Sequence, residues 1–211
     1  MNAKGCRLYI ITPEIFDLRS FPDALARALD AGDVAAVQLR LKDAADDVWA
    51  RAIDPLRPIC QSRGVLFLLN DRADLVASNG CDGVHVGQTD MPAREARRLM
   101  GSDRALGVTC KSSLELAERA VQDGADYVAF GAFFSSTSKQ VTNVADPEVL
   151  RRWSGRKTPS CAIGGITAAN LAPLVRAGAN LLAVIGGVWS HADGPAAGVR
   201  AIEAAIKVAR G

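Results

Sequence analysis

The chain has 211 residues, of which 49% are hydrophobic, 5% aromatic and 23% charged, and its formal net charge is +2. This near balance gives no support for nucleic-acid binding or for attachment to a membrane surface. No signal-peptide pattern is visible, and no apolar stretch approaches the roughly 20 residues that span a bilayer. The cysteines are dispersed without a CxxC pair, which indicates free thiols and a cytoplasmic protein; they are Cys6, Cys60, Cys81, Cys110 and Cys161.

Short apolar runs rich in branched residues recur along the chain, and a segment with helical periodicity follows each of them. Continuous apolar runs favour strands buried on both faces of a parallel sheet. Thr167 fits a helix N-cap. Glycines fit left-handed helix ends at Gly32, Gly64, Gly124 and Gly178. The predicted strands are, in chain order, Leu8–Thr12, Ala35–Arg40, Leu66–Asn70, Gly83–Gly87, Ala105–Thr109, Tyr127–Gly131, Ser160–Gly164 and Leu181–Gly186.

Strand–helix units that repeat about every 25 residues predict an α/β protein with a (β/α)8 (TIM) barrel. The competing arrangement is an open, doubly wound sheet. The first strand is not followed by GxGxxG, and the eightfold count favours closure. We expect one barrel domain over residues 1–211, with its chemistry at the carboxyl ends of the strands.

The second strand ends in "VQLRLK", whose alternation places Gln38, Arg40 and Lys42 on one side. Two cations and an amide that converge at a barrel mouth suit a polyanionic ligand. Arginine grips phosphate with two hydrogen bonds, and lysine acts as a point charge. The alternative is a solvated row of charges.

"LLNDR" and "GVHVGQTD" place Asn70, Asp71 and Asp90 at the ends of the next two strands. Carboxylates from neighbouring strands beside phosphate-binding cations are what Mg²⁺ requires, because Mg²⁺ takes one or two carboxylates and leaves its other positions to water and phosphate. Alternatively, each aspartate caps the helix that follows it. His85 lies inside the fourth strand, and the sequence leaves open whether it is a core, supporting or catalytic residue.

Later strands end in small and hydroxylated residues. "FGAFFSSTSKQ" follows the sixth strand and is either a solvated loop or an anion-binding segment. "AIGGI" and "AVIGGV" follow the seventh and eighth strands, where barrels often bind a phosphate through backbone N–H groups. The sequence therefore suggests two anionic substrates, one of them bound with Mg²⁺, that meet over a barrel mouth.

These residues together resemble the thiamine-phosphate synthase family. "LYIIT", "VQLRLK", "LLNDRADL", "DGVHVGQTD", "LGVTCKS", "GADYVAFGAFF", "AIGGI" and "AVIGGV" occur in the family's order and cover nearly the whole chain. The resemblance implies an enzyme that joins hydroxymethylpyrimidine diphosphate to thiazole phosphate, or to its carboxylated form. The products would be thiamine phosphate and pyrophosphate, and the implied mechanism is a dissociative, Mg²⁺-assisted substitution.

The resemblance also implies a role for each matching residue. Asp71 and Asp90 match Mg²⁺ ligands. Arg40, Lys42 and Lys139 match the cations that stabilise the departing pyrophosphate. The family's contacts to the pyrimidine diphosphate correspond to Gln38, Asn70, Thr109, Ser136 and Ser138. Its thiazole-phosphate pocket corresponds to Gly165, Ile185 and Gly186.

The chain departs from the family pattern at three places. Its strand-6 loop reads "SSTSK" where the family usually has "PTxTK", so Ser135 replaces a stiffening proline. Lys111 stands where the family usually has histidine, and Gly186 stands where it commonly has serine. Two alternatives therefore remain: a thiazole tautomerase-like paralogue, and a barrel that binds thiamine or thiazole phosphates without catalysis. The sequence does not fix the oligomeric state, and a homodimer is one expectation.

Overall fold

The computed structural model describes residues 5–135 and 144–211. Within them, eight parallel strands pair in chain order and close into a barrel, since β1 pairs with both β2 and β8. The prediction of a (β/α)8 barrel is confirmed. The strands are β1 Arg7–Ile11, β2 Val34–Leu39, β3 Leu66–Asn70, β4 Gly83–Val86, β5 Ala105–Lys111, β6 Tyr127–Gly131, β7 Ser160–Ile163 and β8 Leu181–Val184.

Helices follow the strands and form the outer ring. In α2 the buried side chains recur at helical spacing, at Trp49, Ile53, Leu56 and Cys60, so one face of the helix packs on the barrel. The helices are α1 Phe21–Leu29, α2 Asp46–Gln61, α3 Ala73–Val76, α4 Ala93–Met100, α5 Leu114–Gln122, α6 Glu148–Trp153, α7 Ala172–Arg176, α8 Gly186–Trp189 and α9 Pro195–Arg210.

Alternate residues of each strand enter two different apolar layers. On β1, Leu8 and Ile10 pack in the layer that also contains the buried helix residues, whereas Tyr9 and Ile11 pack in a second, smaller cluster. This second cluster is the barrel interior, because it is built almost wholly from the opposite set of strand positions. Large interior side chains such as Tyr9 and Tyr127 fill the space that smaller residues such as Ala129 leave.

Several predicted boundaries were wrong by one or two residues, and these errors fall at strand ends. β2 ends at Leu39, so Arg40 lies in the following loop, and β5 continues to Lys111. The register between β5 and β6 shifts between Thr109 and Lys111, which is a bulge that hydrophobic patterning does not reveal.

Two predicted helix caps were also wrong. Gly64, Gly124 and Gly178 have positive φ, but Gly32 does not. Thr167 is not an N-cap, because α7 begins at Ala172 with Leu171 as its cap. Residues 167–171 form a turn instead, in which the backbone N–H of Thr167 donates to the Asn170 side chain.

Among the residues that the structure describes, no helix is long and apolar enough to cross a membrane. The prediction of free thiols is confirmed, because all five cysteines are unpaired and buried. Burial raises the pKa of both Cys6 and Cys110 to about 12, so these thiols stay protonated at neutral pH.

Candidate active site

Two carboxylates from neighbouring strand ends meet at the mouth of the barrel. Asp71 follows β3, and Asp90 lies in the loop after β4, where it accepts a 2.8 Å hydrogen bond from the backbone N–H of Gly87. The pKa of Asp71 is raised to about 6, first by partial burial and then by the charge of Asp90 and a hydrogen bond to its carboxyl. Two carboxylates this close repel each other when both are ionised, so the pair favours a shared proton or a bound cation.

The backbone of Asp71 is held in a conformation that aspartate rarely adopts. Its φ is +63°, in the left-handed region, and its N–H donates a 2.9 Å hydrogen bond to the carbonyl of His85 in β4. The side-chain amide of Asn70 donates to the Asp71 carboxylate. This turn places the Asp71 carboxyl beside Asp90 instead of at a helix start.

The alternative reading of both aspartates as helix caps is therefore wrong. The N-cap of α3 is Arg72 and that of α4 is Pro92, and neither cap makes a side-chain capping bond. The aspartates contact each other and the strand ends, which is the behaviour expected of functional carboxylates at a barrel mouth.

The two cations of the "VQLRLK" segment converge on one carboxylate. Arg40 Nη1 lies 3.4 Å from Glu14 Oε2, and Lys42 Nζ lies 3.2 Å from Glu14 Oε1. The hydrogen bond from Lys42 is the largest cause that lowers the pKa of Glu14, which stays ionised. Glu14 thus occupies the position of an anion between the two cations.

Buried hydrogen bonds fix the base of this cation pair. The backbone N–H of Arg40 donates to Thr12 Oγ1 at 3.0 Å, and the N–H of Thr12 donates to the Gln38 carbonyl at 2.9 Å. Thr12 is fully buried and Gln38 nearly so. The charge of Arg40 also lowers the pKa of Asp71, although burial raises it by more, so Arg40 and the acidic pair share one electrostatic environment.

A chain of polar side chains crosses the barrel interior below this mouth. His85 Nε2 lies 2.7 Å from Thr109 Oγ1, and His85 Nδ1 lies 2.9 Å from the Tyr127 hydroxyl. The Tyr127 hydroxyl in turn lies 3.0 Å from that of Tyr9. Thr109 is the partly exposed end of the chain, and the other three side chains are buried.

The glycines after β7 and β8 differ in the room around them. Gly165 has φ +60°, and a Cβ there would lie 2.4 Å from the carbonyl oxygen of Ser135, so this position requires glycine. Gly186 begins α8 after Ile185, and the nearest atom to a Cβ there would be Ser190 Oγ at 3.9 Å. The loop after β7 therefore packs tightly on the β6 loop, whereas Gly186 leaves open space.

Three predicted site residues, Ser136, Ser138 and Lys139, lie outside the described residues. Ser135, the last described residue of that loop, is exposed. The remaining predicted residues all lie at strand ends or in the loops that follow them. Among them, Asn70 contacts the Asp71 carboxyl, Asp90 interacts with it, and Arg40 lies near enough for its charge to lower the pKa of Asp71.

Comparisons with known proteins identify the family. The sequence model described as thiamine monophosphate synthase matches residues 8–188. The thiamine-phosphate synthase of Rhodospirillum centenum is 59% identical over 195 residues, which cover 92% of this chain and 94% of that protein. The chain belongs to the thiamine-phosphate synthase family.

Other relatives extend this assignment. The thiamine-phosphate synthase of Hyphomonas neptunium is 49% identical over 204 residues, covering 94% of this chain and 92% of that protein. The solved structure of thiamine phosphate pyrophosphorylase from Pyrococcus furiosus superposes with a TM-score of 0.81 at 28% identity and covers 97% of each chain. The resemblance read from the sequence motifs is confirmed, and the family is one of transferases.

Sequence reasoning missed two features of the site. Glu14, in the "TPE" segment after β1, was not singled out, although a carboxylate that follows a barrel strand is a signal. Tyr127 was also missed, although it is one of only two tyrosines and begins a strand. Its ring enters the barrel interior. The sequence could have shown this only if the alternation of inward and outward side chains on the sixth strand had been assigned.

Proposed function

We propose that the chain transfers the pyrimidine methylene group of hydroxymethylpyrimidine diphosphate to the nitrogen of thiazole phosphate, which gives thiamine phosphate and pyrophosphate. The observation that carries this proposal is the juxtaposition of the Asp71–Asp90 pair with Arg40 at one barrel mouth. A diphosphate leaving group needs a cation held by carboxylates and further cations from the protein, and both are supported here.

Mg²⁺ fits the acidic pair. Among residues 5–135 and 144–211, no group of three or more His, Cys, Asp or Glu side chains could hold a metal ion. Mg²⁺ does not need such a group, because it commonly takes one or two carboxylates and completes its shell with water and substrate phosphate. Asp71 and Asp90 would hold it, and their mutual repulsion, expressed in the raised pKa of Asp71, would be relieved by it. Mg²⁺ bound there would neutralise charge on the diphosphate.

The residues of the chain supply position and charge in this mechanism. Arg40 and Lys42 bind diphosphate oxygens after leaving Glu14, and Lys139 is proposed to add a third cation from the strand-6 loop. The bond between the methylene carbon and the diphosphate oxygen breaks, and its electron pair leaves with pyrophosphate. The thiazole nitrogen then donates its lone pair to the methylene carbon. This reaction needs no side-chain nucleophile, and catalysis is positioning and electrostatic stabilisation.

Backbone and amide groups would complete the substrate sites. Gln38 and Asn70 would bind the pyrimidine diphosphate, with Thr109, Ser136 and Ser138 as proposed hydroxyl contacts. The thiazole phosphate would lie at the loops that contain Gly165, Ile185 and Gly186. The open space at Gly186 supports this placement, because a phosphate can approach a backbone that carries no side chain.

We also infer that the protein works in the cytoplasm. The support is its five free, buried cysteines, because thiols stay reduced in the cytoplasm, whereas disulfides form in oxidising compartments. The reaction itself uses phosphorylated small molecules and asks for no membrane or nucleic-acid partner.

The decisive experiment supplies both phosphorylated substrates with Mg²⁺ and measures thiamine phosphate and pyrophosphate. Wild-type protein should form both products in equal amounts, and none should form when chelator removes the metal. Asp90→Asn should abolish Mg²⁺-dependent turnover while the circular dichroism spectrum stays unchanged. Asp103→Asn, at an exposed aspartate whose side chain accepts from Ser102, is the matched control and should leave turnover unchanged.

The outcomes separate the alternatives. Pyrophosphate binding without product would favour a non-catalytic binding barrel. Isomerisation of the carboxylated thiazole phosphate without condensation would favour the tautomerase. Full activity of Asp90→Asn would remove the metal assignment while leaving the reaction intact.

A further inference from the structure

The polar chain inside the barrel runs from a buried end to an open end. Tyr9 on β1 and Tyr127 on β6 are 1% and 0% exposed, and His85 on β4 is 8% exposed. Thr109 on β5 reaches the mouth and is partly exposed. Its backbone carbonyl accepts a 2.6 Å hydrogen bond from Gln88 Nε2, so the residue is held from two sides. The site already described uses Thr109 and leaves the other three side chains without a role.

Gly107 makes room for this row of hydrogen-bonded side chains. It pairs with His85 on one side and with Tyr127 on the other. A Cβ at Gly107 would lie 2.0 Å from Tyr127 Cζ and 2.2 Å from its hydroxyl oxygen. The missing side chain therefore lets the imidazole and phenol rings meet inside the barrel, with ring centroids 5.5 Å apart.

Each member of the chain is neutral at physiological pH. His85, Tyr127 and Tyr9 are buried, both ring nitrogens of His85 lie within hydrogen-bond distance of hydroxyl groups, and burial disfavours the charged forms of imidazole and phenol. A neutral imidazole has one N–H donor and one acceptor nitrogen. The hydrogen bonds can therefore run through the ring in one of two directions.

The Tyr9 hydroxyl, at the buried end, decides in which direction the hydrogen bonds are donated. If Thr109 donated to Nε2 and Nδ1–H donated to Tyr127, then Tyr127 would donate to Tyr9, and the Tyr9 O–H would need an acceptor further on. Among the described residues the Tyr9 hydroxyl has Tyr127 as its hydrogen-bond partner and no other. A buried hydroxyl without an acceptor costs about 1–3 kcal/mol. In the opposite direction every hydrogen has an acceptor until the chain reaches the mouth.

We propose that Tyr9, Tyr127 and His85 form a directional hydrogen-bond relay that holds the Thr109 hydroxyl as a donor toward the pyrimidine diphosphate. Tyr9 donates to Tyr127, Tyr127 donates to Nδ1 of His85, and Nε2–H donates to Thr109 Oγ1. The Thr109 hydrogen then points away from the imidazole. His85 and Tyr127 are positioning residues, and the hydroxyl they orient meets an acceptor atom of the pyrimidine ring or of the diphosphate. This inference rests on the proposed function for the identity of the ligand.

The first test reads the imidazole directly and needs no activity. The chain has two histidines, His85 and His191, so His191→Gln assigns the signals of protein labelled with ¹⁵N-histidine. At neutral pH we expect His85 to carry its hydrogen on Nε2, with Nδ1 as the acceptor. In Tyr127→Phe a population with hydrogen on Nδ1 should appear. An Nδ1–H ring or a charged imidazolium in the wild-type protein would overturn the relay.

The second test compares two equivalent deletions inside the barrel. Tyr127→Phe and Tyr9→Phe each remove one buried hydroxyl, but only the first removes the donor to His85. We expect Tyr127→Phe to lower kcat/KM for the pyrimidine diphosphate about threefold to tenfold with an unchanged KM for thiazole phosphate. Tyr9→Phe leaves Tyr127 able to donate to Nδ1 of His85, so it should lose clearly less than Tyr127→Phe. Equal losses from both variants would indicate a merely structural role and contradict the proposal.

A double-mutant cycle locates the effect at Thr109. Thr109→Val removes the hydroxyl, and Thr109→Ser restores it. If the relay acts through Thr109, Tyr127→Phe should have no further effect in the Thr109→Val background. Additive losses would mean that Tyr127 acts by another route and would overturn the proposal.

Binding of two probes identifies the acceptor. Weaker binding of inorganic pyrophosphate to Thr109→Val would place the acceptor on the diphosphate, and weaker binding of hydroxymethylpyrimidine alone would place it on the ring. If neither probe binds more weakly, the relay does not address the ligand. If wild-type protein forms no thiamine phosphate, the proposed function fails, and the ¹⁵N spectrum still decides whether the relay exists.

Discussion

The two ends of the barrel treat their polar groups in opposite ways. At the amino end, the residue that immediately precedes a strand makes two hydrogen bonds to one residue of the neighbouring strand. Its side-chain oxygen accepts from the backbone N–H of that residue, and its backbone N–H donates to the carbonyl of the same residue. The clamps are Asp82 on Phe67, Asp126 on Leu106 and Asn180 on Ser160, with side-chain oxygen to nitrogen distances of 2.8, 2.7 and 2.9 Å.

The three clamp residues lie directly before β4, β6 and β8. Each binds the preceding strand, β3, β5 or β7, and so fixes the register between the two strands. Charge balance accompanies them, since the carboxylate of Asp126 also pairs with Arg97 at 2.5 Å. The backbone N–H groups of Phe67, Leu106 and Ser160 are thus satisfied within the protein.

The carboxyl end instead brings like charges together and holds backbone in an uncommon conformation. Asp71 combines a raised pKa with a positive φ, and Glu14 pairs with two cations that a diphosphate would need. Such arrangements lower stability and persist where a ligand compensates for them. The contrast teaches that the amino end is organised to hold the barrel, and the carboxyl end is organised to bind.

Asp71→Asn should give the largest effect and should separate activity from stability. Asparagine tolerates the left-handed φ, so the turn is kept, but one of the two carboxylates proposed to hold Mg²⁺ is lost. We expect turnover to fall at least about 100-fold. The free energy of unfolding of the metal-free protein should rise by about 1 kcal/mol at pH 7, after allowance for solvent screening of a half-exposed carboxyl. Steady-state kinetics and urea denaturation measure the two effects.

The pH dependence checks the cause of this gain. The folded pKa of Asp71, about 6, lies above the ordinary value of 3.8, so its ionisation destabilises the folded state fully above about pH 6 and not below about pH 4. The stability difference between Asp71→Asn and wild type should therefore vanish as the pH is lowered through this range. A difference that is constant with pH would show that ionisation of Asp71, which burial and the charge of Asp90 disfavour, is not its source.

Asp126→Ala should have the reverse signature, with lost stability and retained catalysis. The change leaves the buried N–H of Leu106 without its acceptor and removes the carboxylate that pairs with Arg97, which should cost about 2 kcal/mol. The kcat of the folded protein should match wild type. Asp126→Asn keeps an acceptor oxygen and should lose less stability, and Asp103→Ala, at an exposed aspartate, should lose almost none. A large loss of kcat in Asp126→Ala would break the division between the two ends.

The sequence predicted the strands and their closure because continuous apolar runs and helical periodicity are local properties. It did not predict the amino-end clamps, since Asp126 and Leu106 are 20 residues apart and meet only when β5 and β6 pair. For the same reason the bulge after Thr109 was missed. These features depend on the register between paired strands, and the hydrophobic pattern of this sequence does not determine that register to the residue.

Candidate site residues could be singled out where a residue type indicates its chemistry. Asp71, Asp90 and Arg40 were proposed because carboxylates and guanidinium groups at strand ends are uncommon without a function, and the structure places all three at the barrel mouth. Tyr127 was missed, because a tyrosine in an apolar strand also reads as core. The partners of His85 could not be known until the barrel closed and placed β4, β5 and β6 side by side.

Glu14→Gln should give the smallest effect and tests whether the carboxyl end holds a substitute anion. Glu14 pairs with Arg40 and Lys42, and removing its charge should free both cations for phosphate. We expect the Kd for pyrophosphate to fall by less than about tenfold, because Glu14 and Lys42 are solvent-exposed, which weakens both ion pairs. Calorimetric titration at low and high salt measures the change, which should shrink as salt screens it. Asp17→Asn lies in the same loop but pairs with Arg19, so it should leave binding unchanged. Weaker binding in Glu14→Gln would mean that Glu14 holds the cations in position for the diphosphate instead of competing with it.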